Sequence, residues 1–276
     1  MKRLKTPLRY PGGKSKAINK MLPYFPDLKD YEEYREPFVG GGSVAIAITK
    51  LQPNINIWVN DLYWPLYNFW VQLRDNGDEL SETVREWKIQ NNNVDDAKKL
   101  FNKCKQEMNE TDTSYFMKAV MFWTINKCSF SGLTENSTFS KLASEGNFTI
   151  NCIENLKYYS KLIKNWKITN QSYETLLDGT PRTFVYLDPP YDIKSHLYGK
   201  NRSMHKGFDH DLFAQRCIDT SNLHHMTVSY NNDDWVKDRF PNWGQITFPL
   251  TYSMNAQSKN YMKAQASRKE LLLTNY

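Results

Sequence analysis

The chain has 276 residues, 40% of them hydrophobic and 14% aromatic, enough for one large α/β domain, or a core domain with a sizeable insertion, and too apolar for global disorder. The formal net charge is +6, unevenly spread: residues 1–20 hold Lys2, Arg3, Lys5, Arg9, Lys14, Lys16 and Lys20 without an acid, and residues 239–269 hold Arg239, Lys259, Lys263, Arg268 and Lys269 without one. Segregated positive segments suit a polyanionic partner, with a solvated basic face as the plainer alternative.

Near the start, Leu8-Arg9-Tyr10-Pro11-Gly12-Gly13-Lys14-Ser15 is a turn feeding a helix predicted over residues 14–22. It is not a phosphate-binding loop: that motif needs a glycine where Leu8 stands, and no strand leads in. What remains is a flexible turn that lets backbone approach a ligand, flanked by Tyr10 and Lys14. Next, residues 34–39 read as a short strand, Gly40-Gly41-Gly42 as a turn, and residues 44–48 as an apolar helix with Ser43 as its N-cap. This is the first β-α unit of a nucleotide-binding sheet, although it lacks the dinucleotide G-x-G-x-x-G pattern. A second strand over residues 55–60 ends in Asp61, about 20 residues past the glycines, where such folds place an acid on ribose hydroxyls. Asp61 capping the next helix is the structural alternative.

The βα rhythm then stops. Helices are predicted over residues 63–74, 79–90, 97–107 and 115–126, followed by a Ser/Thr/Asn/Gly-rich stretch through Lys127, Phe130, Gly132 and Phe139. A long insertion in an α/β domain commonly carries recognition, and Phe130 and Lys127 suit an unstacked base and a phosphate; an ordinary loop with buried Phe is the alternative. The rhythm resumes with a helix over 154–164, a strand over 166–169, and Thr183-Phe184-Val185-Tyr186-Leu187 ending in Asp188-Pro189-Pro190-Tyr191. Proline cannot donate to a ladder, so this strand stops at Asp188, leaving two carboxylate oxygens, the Pro189 carbonyl and the flat Tyr191 ring at its carboxyl end. Acceptors beside a ring suit a planar group bearing an amine; a capped turn with a packed Tyr is the alternative. A basic loop over 194–208 carries Lys200 and Arg202, then come a helix over 209–223 and a strand over 226–230. Strands near 245–249 and 270–276 give a mostly parallel sheet with an antiparallel edge.

Cys104, Cys128, Cys152 and Cys217 form no CxxC pair, which predicts reduced thiols in a cytoplasmic protein and no zinc site. His224-His225 reads as a strand approach rather than a ligand pair. No apolar run is long enough to span a bilayer, and no signal core follows the basic start.

In order and spacing, Arg9-Tyr10-Pro11-Gly12-Gly13-Lys14, Glu36-Pro37-Phe38-Val39-Gly40-Gly41-Gly42-Ser43, Asn60-Asp61-Leu62, Asp188-Pro189-Pro190-Tyr191 and Ser267-Arg268-Lys269-Glu270 resemble the Dam-type, alpha-class DNA adenine methyltransferases, over nearly the whole chain. The resemblance implies a Rossmann-like methyltransferase fold. Residues 1–61 and 156–276 would form the catalytic, cofactor-binding domain, and 62–155 a helical target-recognition insertion. It implies S-adenosyl-L-methionine as cofactor, contacted by Tyr10, Lys14, Phe38, Gly40, Gly42, Asp61 and Asp188, and a catalytic pocket of Asp188, Pro189, Pro190 and Tyr191. Double-stranded DNA is the expected partner, through Arg9, Lys127, Phe130, Lys200, Arg202 and Arg268, with no metal, no membrane and room for a restriction endonuclease partner. The setting would be the cytoplasm, at the nucleoid of a bacterial, archaeal or phage-infected cell. One departure stands out: the best-known members carry a basic residue soon after the Gly-Leu of the insertion, whereas Gly132-Leu133 is followed by Thr134-Glu135, so a GATC target is not implied. Transfer to the cytosine N4 amine, and a non-catalytic DNA-binding protein on the same scaffold, are the competing readings.

Overall fold

The computed structural model describes residues 4–134, 137–191, 207–249 and 269–276. Seven strands form one sheet in the order β3-β2-β1-β4-β5-β7-β6. They are β1 (Glu33–Glu36), β2 (Asn56–Asn60), β3 (Lys167–Thr169), β4 (Thr183–Leu187), β5 (His225–Asn231), β6 (Gly244–Pro249) and β7 (Lys269–Thr274). β1 to β5 run parallel, β7 pairs antiparallel with β5, and β6 pairs antiparallel with β7. The expected mostly parallel sheet with an antiparallel edge is therefore present, with β7 inside it and β6 at the edge.

The β4 sequence is β-branched or aromatic up to its last residue, Leu187, and all five residues are buried. The period of two divides them: Phe184 and Tyr186 pack into one core, Val185 and Leu187 into the other. β7 divides likewise, with Leu272 on the first side and Leu271 and Leu273 on the second. Strand order reverses between β1 and β4, whose register pairs Glu33 with Thr183 and Tyr34 with Phe184. At such a switch point connections leave to opposite faces, opening a crevice beyond the strand carboxyl ends.

Among the described residues the helices are α1 (Ile18–Met21), α2 (Ser43–Leu51), α3 (Trp64–Gln90), α4 (Val94–Glu107), α5 (Tyr115–Cys128), α6 (Lys141–Asn147), α7 (Ile150–Leu162), α8 (His210–Asp219) and α9 (Asp234–Arg239). Between β2 and β3 all of the helices α3 to α7 appear. The two helices expected over 63–90 are one run broken at Asn76 (φ −126°, ψ 29°). There Gly77 lies against α7 so closely that an added Cβ would come within 2.4 Å of Ser160 atoms. From Ala119 to Cys128 every residue of α5 is buried, so this is the inner helix of the block. The helix expected over 14–22 is instead a 3₁₀ turn (Lys14–Lys16) followed by the single turn α1 and a second 3₁₀ turn (Leu22–Tyr24). Pro23 cannot continue an α-helical ladder.

Buried Asn60 ties three strand ends together. Its Nδ2 donates to the carbonyls of Pro37 (3.1 Å) and Gln171 (3.0 Å). Its Oδ1 accepts from the Thr169 hydroxyl and the Gln171 N–H, both at 2.9 Å. Truncation leaves several buried polar groups unpaired, each costing roughly 1–3 kcal/mol. Asn60→Ala is therefore expected to lower unfolding free energy by about 3 kcal/mol in urea denaturation with an unchanged m-value.

Candidate active site

Where β4 ends, the first side chain released from the ladder is Asp188, and it meets Lys14 from the opposite end of the chain. Lys14 Nζ donates to both Asp188 oxygens at 2.7 Å and to the Tyr191 hydroxyl at 2.8 Å, with Gly12 O at 3.3 Å and Glu270 Oε1 at 3.2 Å. The ammonium is buried, and Glu270 is fully so. Ser229 on β5 donates to Glu270 Oε1 at 2.6 Å, and the Tyr191 hydroxyl donates to the same oxygen. The Tyr191 ring stacks on Tyr230 with centroids 5.5 Å apart and planes at 25°. One lysine thus sits among an aspartate, a glutamate and a tyrosine hydroxyl.

A third acid stands behind them. Glu36, at the end of β1, is buried and accepts from the Tyr34 hydroxyl at 2.7 Å; burial pushes its pKa well above the usual carboxylate range. The Asp188 pKa rises to about 6, chiefly through burial; Lys14 opposes the rise and Glu270 adds to it. Glu36, Tyr34, Ser229, Tyr230 and Glu270 are site neighbours that sequence reasoning did not assign. The signal for Glu270 is an acid opening the run Leu271-Leu272-Leu273; strand alternation alone does not say what it faces.

Beside this cluster lies the glycine turn. Gly40 and Gly42 have φ of +48° and +69°, a region that side chains rarely adopt. Tyr10 lies across it: a Cβ on Gly40 would fall 2.9 Å from the Tyr10 ring, and one on Gly41 2.7 Å from its Cβ. Trp70 closes the other side, donating from Nε1 to Gly40 O at 3.0 Å. Ser43 is not the N-cap. Gly42 occupies that position, Ser43 is the first residue of α2, and its hydroxyl bonds Ser15 at 2.9 Å.

Asp61 is buried and spans the two strand ends. Its Oδ2 accepts the Gly40 N–H and its Oδ1 the Tyr63 N–H, both at 3.0 Å. Burial lifts its pKa to about 6 against these two hydrogen bonds. It therefore braces the turn leading into α3, whose N-cap is Tyr63 rather than Asp61, and each oxygen keeps a second lone pair. Phe38 packs among Tyr173, Phe208 and Phe213, at centroid distances of 5.5–6.0 Å.

The residues expected at DNA divide. Phe130, in a 3₁₀ turn (Phe130–Gly132) after α5, is 52% exposed. The Arg9 guanidinium donates to Ser129 O at 2.7 Å, next to that turn. Lys127 is buried, with Nζ 5.1 Å from the Trp123 ring centroid, and burial lowers its pKa to about 8. Its position at the end of the inner helix, rather than its charge, decides that placement. Lys200, Arg202 and Arg268 lie outside the described residues, as does most of the second basic segment. Among the described residues no group of His, Cys, Asp or Glu could hold a metal ion, and no helix is long and apolar enough to cross a membrane. His225 opens β5, and buried His224 bonds the Asp178 carbonyl.

A family model described as D12 class N6 adenine-specific DNA methyltransferase matches residues 10–248. The chain is also similar to the type II methyltransferase M.MjaIII of Methanocaldococcus jannaschii, at 26% identity over 199 residues, covering 67% of this chain and 68% of that protein. Similarity to the modification methylase StsI of Streptococcus sanguinis runs at 25% identity over 300 residues, covering 100% of this chain and 43% of that one. The chain thus spans less than half the length of that second relative.

Because Lys14 holds the Asp188 pKa down against burial, Lys14→Met is expected to raise it above 6, as read by carboxyl-carbon NMR titration of aspartate-labelled protein. An unchanged titration midpoint overturns the assignment of Lys14 as the opposing charge.

Proposed function

The chain belongs to the D12 class of N6 adenine-specific DNA methyltransferases, and on that premise we propose that its strand-end cluster holds S-adenosyl-L-methionine beside a flipped adenine of duplex DNA, at Asp188, Pro189, Pro190 and Tyr191. The observation that carries this reading is the position of Asp188: it leaves β4 at the sheet's switch point, salt-bridged to Lys14, close to the turn that Asp61 and Gly40 bind together.

The donor set fits that cofactor. The spare lone pairs of Asp61 suit a cis-diol, and the backbone at Gly40 and Gly42, with Tyr10 and Phe38 beside it, suits a nucleoside. Lys14 and Asp188 supply one charge of each sign for an amino-acid tail. The cofactor supplies a methyl on a sulfonium. The protein's task is the other reactant: an adenine amine is a poor nucleophile because its lone pair is delocalised into the ring. Hydrogen bonds from that amine to the Asp188 carboxylate and the Pro189 carbonyl favour a pyramidal nitrogen with its lone pair aimed at the methyl. Both Asp188 oxygens face Lys14 at 2.7 Å, so the amine uses lone pairs that Lys14 leaves. Tyr191, backed by Tyr230 and anchored through its hydroxyl, gives the extruded base a stacking surface. Orientation and electrostatics then lower the barrier without a covalent enzyme intermediate.

In the same reading, residues 1–61 and 156–276 are the catalytic domain, and residues 62–155 recognise the target, with Phe130 and Arg9 at the duplex. That one relative is named a modification methylase supports a modification role; a restriction endonuclease partner and a cytoplasmic setting belong to the same proposal. Two outcomes test the proposal. With labelled S-adenosylmethionine and unmethylated genomic DNA, digestion to nucleosides returns the label as N6-methyladenine, and Asp188→Asn cuts transfer by about 10²–10³-fold while DNA binding persists. Label in N4-methylcytosine, or full activity in the variant, sinks it. Separately, since ionised Asp188 is the acceptor and burial has raised its pKa to about 6 in the free protein, kcat/KM falls as pH drops through 6, close to tenfold per unit below it. A flat profile from pH 7 to pH 5 excludes that role.

A further inference from the structure

The recognition block and the glycine turn belong to different parts of the chain, yet one side chain joins them. Asn126, at the buried end of α5, treats Arg9 as a strand neighbour would. Its Oδ1 accepts the Arg9 N–H at 2.9 Å, and its Nδ2 donates to the Arg9 carbonyl at 2.7 Å. The same Nδ2 donates to the Gly132 carbonyl at 2.8 Å, in the turn that carries exposed Phe130. Gly132 lies hard against Arg9: its φ is +75°, and a Cβ there would stand 2.4 Å from the Arg9 carbonyl oxygen. The next residue, Tyr10, rests on Gly40 and Gly41, and its carbonyl accepts the Gly13 N–H at 3.1 Å. Gly12 then contacts Lys14, and Lys14 holds Asp188.

We propose that Asn126 is a positioning residue that couples the Phe130–Gly132 turn to the Tyr10–Gly40 contact, so that engaging cognate DNA at the turn tightens the cofactor site. This rests on the reading of that turn and that contact as DNA and cofactor surfaces. A side-chain amide suits the task because it offers a donor and an acceptor in one plane, matching a single peptide unit, and its second N–H reaches a second segment. Displacement of the turn therefore moves Arg9 and Tyr10 together, and by linkage cofactor binding must feed back on DNA affinity by the same factor.

The experiment uses the full chain, S-adenosylhomocysteine as calorimetric probe, and a duplex carrying the sequence returned by mapping methylated adenines in cells that express the protein. In the wild type, saturating cognate duplex is expected to tighten probe binding by about fivefold or more, and a scrambled duplex to leave it unchanged. In Asn126→Ala that factor drops to within about twofold of one, while probe affinity without DNA stays within about threefold of wild type. Gly132→Ala, which wedges the same two segments apart with Asn126 in place, gives the same loss of coupling and serves should Asn126→Ala not fold. Coupling retained in either folded variant, or absent from the wild type, overturns the proposal. A wild type that binds no probe or methylates no adenine overturns the underlying reading of the site as well.

Discussion

Everything at the centre of this protein depends on placing one ammonium where acids converge. Lys14 is buried, and its Nζ lies 2.7 Å from both Asp188 oxygens and 3.2 Å from Glu270. Removing such charges from water costs several kcal/mol apiece, so the arrangement survives only when partners satisfy one another. Asp188 comes from β4, Glu270 from β7 and Lys14 from the turn ahead of the first strand. The cluster therefore stitches the two ends of the chain to the middle of the sheet. Neutralising Lys14 leaves Asp188, Glu270 and Glu36 near one another in a poorly solvated space; with Lys14 charged, burial is the main cause that raises the Asp188 pKa and Lys14 the main one that opposes it.

The sheet makes that convergence cheap to hold. Parallel strands β1 to β5 point their carboxyl ends to one side, and the order reversal between β1 and β4 keeps helices from covering the opening. Asn60 and Asp61 then fix the neighbouring strand ends with hydrogen bonds to backbone groups, so the glycine turn is rigid although its residues are individually permissive. Preorganisation of this kind is what an orientation-driven methyl transfer calls for, since every donor is in place before the reactants arrive.

The helical block contributes in another way. It is interleaved with the β-domain's first segment: the Trp123 indole donates to Pro7 O at 3.0 Å, Asn126 clamps Arg9, and the Tyr63 hydroxyl bonds Thr134 at 3.2 Å. Thus residues 7–14 lie between the block and the sheet and touch both. A segment so placed transmits a change on either side to the other, which a block hinged on a flexible linker could not do.

By itself the sequence determined the fold class and the axis of the site. Alternating and continuous apolar runs set the strands, the glycines and Asp61 fell at nucleotide-binding spacing, and two prolines ended β4 at Asp188, because these are local effects of side-chain period and missing donors. It also placed most helices of the insertion, including the break near Asn76, but not the short helix α6, which lies in the stretch that composition reads as loop. Tertiary structure alone decided what long-range packing governs. It buried Lys127 and left Phe130 exposed, although only two residues separate them, because α5 ends inside the block. It made left-handed Gly42 the helix cap while the Ser43 hydroxyl bonds Ser15, put β6 at the sheet edge, and brought Glu270 and Lys14 together from opposite ends of the chain. Periodicity says which face a residue occupies; only the folded chain says what stands across from it.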